Sequence, residues 1–303
     1  QRSWLDGAEL EQSAAYWSAQ LDGIPARLEL PTDRPRPPHL TFDADLATLT
    51  LGPERLARLE GLAREHQATL YMTLLAAFGL LLHRFSGQDD VVVGTPIANR
   101  QDERLEALIG FFVNTLAMRV RLDPTATFAD LLAQVRTTTL DATQHQDLGF
   151  ESLVDLLSPT RSLDATPIFQ VVLALQRASD GRFRMGESRL SPFVAEADLK
   201  VRFDLELQCF ERPQSLELMW LYNRDLFDRR TIEQMAGHFV ELVEAVTKHP
   251  ERPLYRLPLV AADVRRRQLA DSRVPTPASN DTLVGRFEAQ AARTPEAVAV
   301  SSG

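Results

Sequence analysis

One cysteine, Cys209, stands in 303 residues. It has no partner for an internal disulfide, and no cysteine cluster can hold a metal. Polar residues alternate around it in a strand-like run, which reads as a buried structural thiol rather than a nucleophile. Histidine is scarce: His39, His66, His83, His145, His238 and His249 include no adjacent pair and show no metal-ligand spacing. A glycine-rich phosphate loop and a Gly-x-Ser-x-Gly elbow are both missing, so no resident cofactor is implied. No signal-peptide pattern opens the sequence. The most apolar stretch, Leu70 to Phe85, is interrupted by Thr73, Gly79, His83 and Arg84. It is too short for a bilayer and is expected to form a buried core helix. Basic charge is in deficit, with 33 Lys and Arg against 42 Asp and Glu, a net −9 and an isoelectric point near 5.3. That balance argues against nucleic acid, whose backbone demands a positive surface. The one dense basic run, Arg265 to Arg267, reads as solvated surface. These absences point to the cytosol, with no membrane and no nucleic-acid partner.

What is present is an ordinary globular composition, 44% hydrophobic and 25% charged, long enough for one large domain or two small ones. Glu9 to Leu21 is helix-like, and four prolines between Leu30 and Pro38 make an extended surface connector. Leu46 to Leu51 alternates as a strand. Pro53 to Gln67 repeats Leu56, Leu59, Leu62 and Ala63 as an amphipathic helix. Val91 to Val93 is a short β-branched strand. Thr127 with Asp130 starts a helix that ends near His145. Phe169 to Leu175 is a continuous apolar run, suited to a sheet covered on both sides. Phe203 to Phe210 and Leu216 to Tyr222 read as a hairpin, and Asp228 as the cap of a helix carrying Ile232, Met235, Ala236, Phe239, Leu242, Val243 and Val246 at 3, 4 and 7 spacing. Strands alternating with long helices predict an α/β layered fold. From Pro253 the pattern decays, and Arg265 to Asp281 is a polar tract without a strong period, read as a linker.

The stretch Leu108-Ile-Gly-Phe-Phe-Val-Asn-Thr-Leu-Ala-Met-Arg119 is the most informative. Gly110 allows a turn or a close backbone approach. From Thr115 to Leu122 apolar and other residues alternate, which predicts a half-buried strand. The carboxamide of Asn114 at its mouth either closes a local backbone hydrogen bond or faces a channel.

This segment resembles the Ile-Gly-x-Phe-Val-Asn-Thr motif of nonribosomal peptide synthetase condensation domains. Further pieces follow in the family's order: Gln1-Arg-Ser-Trp-Leu5, Tyr16-Trp17, Leu30 to Pro37, Gly94-Thr-Pro-Ile-Ala-Asn-Arg100, His145-Gln-Asp-Leu-Gly-Phe-Glu151 with Gly149 where proline is usual, and Arg161 to Gln170. The resemblance covers residues 1 to about 255. The family's catalytic signature, His-His-x-x-x-Asp-Gly, is absent. The resemblance therefore implies the C-terminal lobe of a two-lobed fold similar to chloramphenicol acetyltransferase, a mixed sheet covered by helices. The implied domains are the lobe at 1–257, a linker at 258–281 and, from a likeness of Leu283 to Val300 to an adenylation-domain opening, a truncated adenylation domain at 282–303.

In such an assembly an N-terminal lobe supplies the catalytic histidine. Upstream and downstream peptidyl carrier domains deliver thioesters on 4'-phosphopantetheine arms, a peptide bond forms between the carried groups, and an adenylation domain follows. The alternatives are a lobe of an epimerisation or heterocyclisation relative, or a non-catalytic platform for carrier docking and recruitment. No catalytic residue and no directly bound cofactor is expected in this chain. Gly110, Phe111, Asn114, Arg119, Gln146, Asp147, Arg161 and Gln170 are the motif or tunnel-lining candidates, Asn114 foremost. His145 to Asp147 reads as structural hydrogen bonding before acid–base catalysis, because sequence closeness does not supply proton-transfer reach. The loop with Asn99, Arg100 and Glu103 to Glu106 either contacts the partner lobe or the pantetheine tunnel, or is plain surface charge. Phe203-Asp-Leu205, preceded by Lys200, is either a segment near the bridge between lobes or a solvated strand edge.

Overall fold

A six-stranded mixed sheet organises the chain. The structure, a computed structural model, describes residues 7–100, 104, 108–110, 112–157, 163–177, 183–185, 188–190, 199–271 and 282–298. The strands in chain order are β1 Ala44–Leu51, β2 Asp90–Ile97, β3 Asn114–Arg121, β4 Val171–Arg177, β5 Phe183–Met185, β6 Ser188–Leu190, β7 Leu205–Arg212 and β8 Ser215–Asn223. The large sheet runs β1-β8-β7-β4-β2-β3, and β5 pairs with β6 as a separate hairpin. The helices are α1 Ala8–Gln20, α2 Pro53–Glu65, α3 Leu70–Ser86, α4 Phe128–Gln144, α5 Phe150–Leu157, α6 Arg229–Lys248, α7 Ala262–Asp271 and α8 Leu283–Arg293. β4 lies parallel to both β2 and β7, while the remaining pairs of the large sheet are antiparallel. The chain divides into two compact units, Gln1–Leu259 and Val260–Gly303. The second holds α7 and α8.

Local signals explain the elements. Thr69 caps α3 by accepting from the Met72 amide at 3.2 Å, and Gly87, at φ +72°, ends it. Every residue from Met72 to Leu82 in α3 is buried, as a helix that is apolar all round must be. Thr127 and Asp130 close a reciprocal capping box at α4, with backbone distances of 3.2 and 3.0 Å. Phe78, Trp220 and Phe239 meet edge to face between α3, β8 and α6, with centroids 5.7–6.5 Å apart. Val171 to Ala174 in β4 are all buried, in keeping with an unbroken apolar run in a central strand.

Four expectations need correction. β3 is buried on both faces from Leu116 to Val120 rather than half-buried, because Arg119 is paired and drawn inside. The tract read as an irregular linker begins as helix α7, whose Arg, Gln, Leu and Ala residues favour helix over coil. Asp228 precedes α6, but its carboxylate accepts from Arg34 and makes no cap bond. Asp204 is no solvated edge: it is 4% exposed and paired with Arg36. Helix α5 and the β5–β6 hairpin had no expectation attached. Cys209 is fully buried and its thiol is pushed up by that burial, as a structural cysteine's would be.

Candidate functional site

Asn114 begins β3. Its amide donates to the carbonyls of Gln146 at 2.8 Å and Leu148 at 3.0 Å. Its carbonyl oxygen accepts from the backbone N–H groups of Thr115 at 2.8 Å and Phe150 at 3.0 Å. All four bonding positions of the side chain are therefore taken by backbone, and the residue is 8% exposed. The two motifs are stapled together: the Asn-Thr strand mouth holds the turn after α4 and satisfies the first amide of α5. Of the two roles open in the sequence, the geometry matches the backbone closure and leaves no amide group to face a channel.

The same turn is fastened from its other side by α1. His145 stacks on Tyr16 with ring centroids 4.3 Å apart, and its Nδ1 lies 3.2 Å from Ser13 Oγ. Trp17 Nε1 donates to the His145 carbonyl at 2.9 Å. Burial, with Asp141 adding, pushes the Tyr16 phenol up to about 12, so it stays neutral. Glu9, Gln12, Ser13, Gln144, His145 and Asp147 line a cavity of about 350 Å³ here. His145 and Asp147 thus share this wall, while the Gln146 backbone serves Asn114.

Arg119 is spent elsewhere. It is 6% exposed, pairs with Asp90 through Nε at 3.0 Å and a terminal nitrogen at 2.6 Å, and donates to the Gln20 and Asp22 carbonyls at 2.9 and 2.7 Å. It secures the C-terminal end of α1 against β2 and β3.

The last motif forms a second knot. Gln170 accepts from the Leu28 amide at 2.7 Å and donates to the Thr166 carbonyl at 2.8 Å. The Gln170 carbonyl receives the Asp204 amide at 2.8 Å. Asp204 in turn holds Arg36 of the proline-rich connector, whose guanidinium also reaches the Asp164 carbonyl at 3.1 Å. Hydrogen bonding to Asp204 holds the Arg36 pKa above its ordinary value, keeping the pair ionised. Between the knots Ile168 sits at φ +70°, with the Phe169 amide donating to the Pro167 carbonyl at 2.8 Å. That tight turn is unusual for a β-branched residue and costs about 1–3 kcal/mol. It aims the Phe169 ring at Gly94, where a Cβ would overlap it. Phe150 and Phe203 flank the ring at 5.1 and 5.4 Å.

Gly94, Phe150, Phe169 and Gln170, scattered through three motifs, therefore meet at the entry to β4. Gly110 is exposed, and a Cβ there would lie 2.9 Å from the Phe112 ring, so the glycine permits that ring's approach. The Phe112 ring also carries Arg100 over its face at 4.3 Å. Phe111 and Arg161 lie outside the described residues. The Arg36–Asp204 pair and the Gly94–Phe169 contact escaped sequence reasoning. A lone Asp in an apolar strand and a lone Gly in a β-branched one were their only signals.

Among the described residues no group of histidines, cysteines or carboxylates could hold a metal. No single described helix is long and apolar enough to cross a membrane.

Against known proteins, the family profile described as "Condensation domain" matches residues 1–269. The chain is 46% identical, over its whole length, to a component of the linear gramicidin synthase of Brevibacillus parabrevis, and spans 4% of that protein. It is 39% identical to malpinin synthetase of Mortierella alpina over 99% of its length, again spanning 4%. Among solved structures, the X-domain from teicoplanin biosynthesis superposes with a TM-score of 0.76 at 29% identity, covering 84% of this chain and 58% of that one. A four-domain nonribosomal peptide synthetase bound to AMP and glycine gives 0.78 at 23% identity, over 85% of this chain and 21% of the other, a likeness of fold. With its motifs brought together in one place and its length matched from residue 1 to 269, the chain belongs to the condensation-domain family of nonribosomal peptide synthetases.

Proposed function

We propose that the chain supplies the C-terminal lobe of a condensation domain, which joins two carrier-bound acyl groups through an amide bond. The observation that carries this reading is the convergence of the family's separate motifs on the β3–α5 staple and the β4 entry. A sequence without His-His-x-x-x-Asp-Gly and a 58% span of the solved X-domain chain both support the lobe assignment. The missing histidine would then come from an N-terminal lobe, and the amine of one aminoacyl thioester would attack the thioester carbon of the other. Holding both thioesters in one tunnel supplies much of such a rate, because a bimolecular encounter becomes effectively unimolecular. The 4'-phosphopantetheine arms belong to the upstream and downstream carrier domains, so this lobe would bind no cofactor of its own. Residues 258–281 would act as a linker and 282–303 as the opening of an adenylation domain, in a cytosolic synthetase.

The test is reconstitution. The chain alone should form no amide between two loaded carrier proteins, and adding an N-terminal lobe should restore the reaction. Turnover by the chain alone would refute the lobe assignment. A second reading, a platform that recruits another protein, is favoured by the 27% identity to the X-domain described in complex with OxyB. Reconstitution without turnover, together with binding of a separate protein of the same biosynthesis, would select it.

A further inference from the structure

One face of the sheet at β1, β8 and β7 is sealed by helices, with Leu207, Cys209, Leu218 and Trp220 fully buried. The opposite face mixes polar and apolar groups: by register it carries Glu206, Gln208, Glu217, Thr48 and Thr50 beside Leu46, Phe210, Met219 and Leu221. Side chains on it follow from the register: Glu206 lies opposite Leu221, Gln208 opposite Met219, and Leu221 opposite Leu46. Leu46, Phe210, Met219 and Leu221 are half-buried and belong neither to the core nor to the residues packed against it. Four large apolar groups thus stand half-buried on the outer face of the sheet, where a side chain could lie against them.

In their midst is a polar pair. Gln208 Nε2 donates to Glu206 Oε2 at 3.0 Å, which fixes the carboxylate against the sheet. Both residues are half-buried, and among the described residues no cation pairs with Glu206. The other carboxylate of this face, Glu217, is matched by Arg212 at 2.5 Å. Among the described residues Glu206 thus keeps a negative charge with no cation beside it, next to the amide oxygen of Gln208 and in register with Leu221 and Met219. Two acceptors in an apolar frame fit an amine that carries a side chain: the nitrogen would donate to the oxygens while the side chain lies on Met219 and Leu221.

We propose that Glu206 and Gln208 form the recognition site for the amino group of the aminoacyl thioester that is acylated, with Met219 and Leu221 reading its side chain. The proposal rests on the condensation reading above and names the substrate group that this face selects. Glu206 accepts a hydrogen bond from the amine and holds it in place; no bond is made or broken at the carboxylate.

Two measurements test it. In the intact module with donor and acceptor each loaded on its own carrier protein, Glu206→Gln raises the KM for the aminoacyl carrier about tenfold, which is about 1.4 kcal/mol. The KM for the donor and the melting temperature stay at their wild-type values. Met219→Ala shifts the acceptor preference toward bulkier side chains. Equal rises in both KM values, or no rise in either, overturn the assignment. Separately, the full chain is titrated with leucyl-pantetheine thioester and with its N-acetylated counterpart while the β7 and β8 amide resonances are followed. Shifts with the free amine only, abolished by Glu206→Gln, support the site; shifts with both compounds or with neither overturn it. Amine-dependent binding in a module that makes no amide would retain this site and refute the condensation reading. Turnover indifferent to Glu206 would do the reverse.

Discussion

Removing the Asn114 side chain tests the central claim about the staple, because its cost is set by four hydrogen bonds rather than by any contact with substrate. In Asn114→Ala the Gln146 and Leu148 carbonyls and the Thr115 and Phe150 amides lose their partner at once. A net 0.5–1.5 kcal/mol for each bond, tempered by water entering a site that is already 8% exposed, gives a loss of about 3 kcal/mol. For a unit of this size that lowers the melting temperature by about 6–12 °C. Asn114→Asp is expected to fare no better at neutral pH. It retains an acceptor for the two amides but turns a second oxygen toward two carbonyls. Calorimetry of wild type and both variants reads the effect, and amide exchange localises it: Phe150 should exchange faster, because it is the first residue of α5 and its partner is gone. Melting within about 2 °C of wild type, with Phe150 still protected, would refute the reasoning and return Asn114 to the tunnel wall.

Gly94→Ala should be severely destabilising, because the new methyl meets the Phe169 ring, and Phe169→Leu in the same chain should recover a large part of the loss. A double-mutant cycle on urea midpoints measures that coupling, and strict additivity would contradict it. Glu244 is held down to about 2 by hydrogen bonds to Lys248 at 2.8 Å and Arg55 at 2.9 Å, with Arg58 adding. A folded pKa below the unfolded value means stability present above about pH 4.3 and lost as the pH falls toward 2. Glu244→Gln should therefore lower the urea midpoint at pH 6 and match wild type near pH 2. Gly237 lies inside α6 with open space where its Cβ would be, so Gly237→Ala should stabilise by about 0.5–1 kcal/mol and raise the melting temperature by a few degrees.

Elements whose cause is local were legible in the sequence. The threonine cap at α4, the apolar run of β4 and the 3, 4 and 7 spacing of α6 each depend on residues within a turn or a strand of one another. The short α5 escaped because its first amide is satisfied by Asn114, 36 residues earlier in the chain. The motifs were also legible, as words in order, and with them the family. Tertiary structure decided what the words are for. Asn114 and Arg119 are polar residues whose sequence context fits a channel as well as a clamp; only the meeting of β3 with the α4–α5 turn and with the end of α1 assigns them to the clamp. Gly94 needs to be glycine because Phe169, 75 residues onward, fills the space of its side chain, and Asp204 can be buried because Arg36 arrives from the far end of the chain. Periodicity along a strand says which residues share a face, yet pairing of distant strands decides which face is sealed by helices and which is not. That is how Glu206 and Gln208, unremarked in the sequence, come to stand among Leu46, Met219 and Leu221.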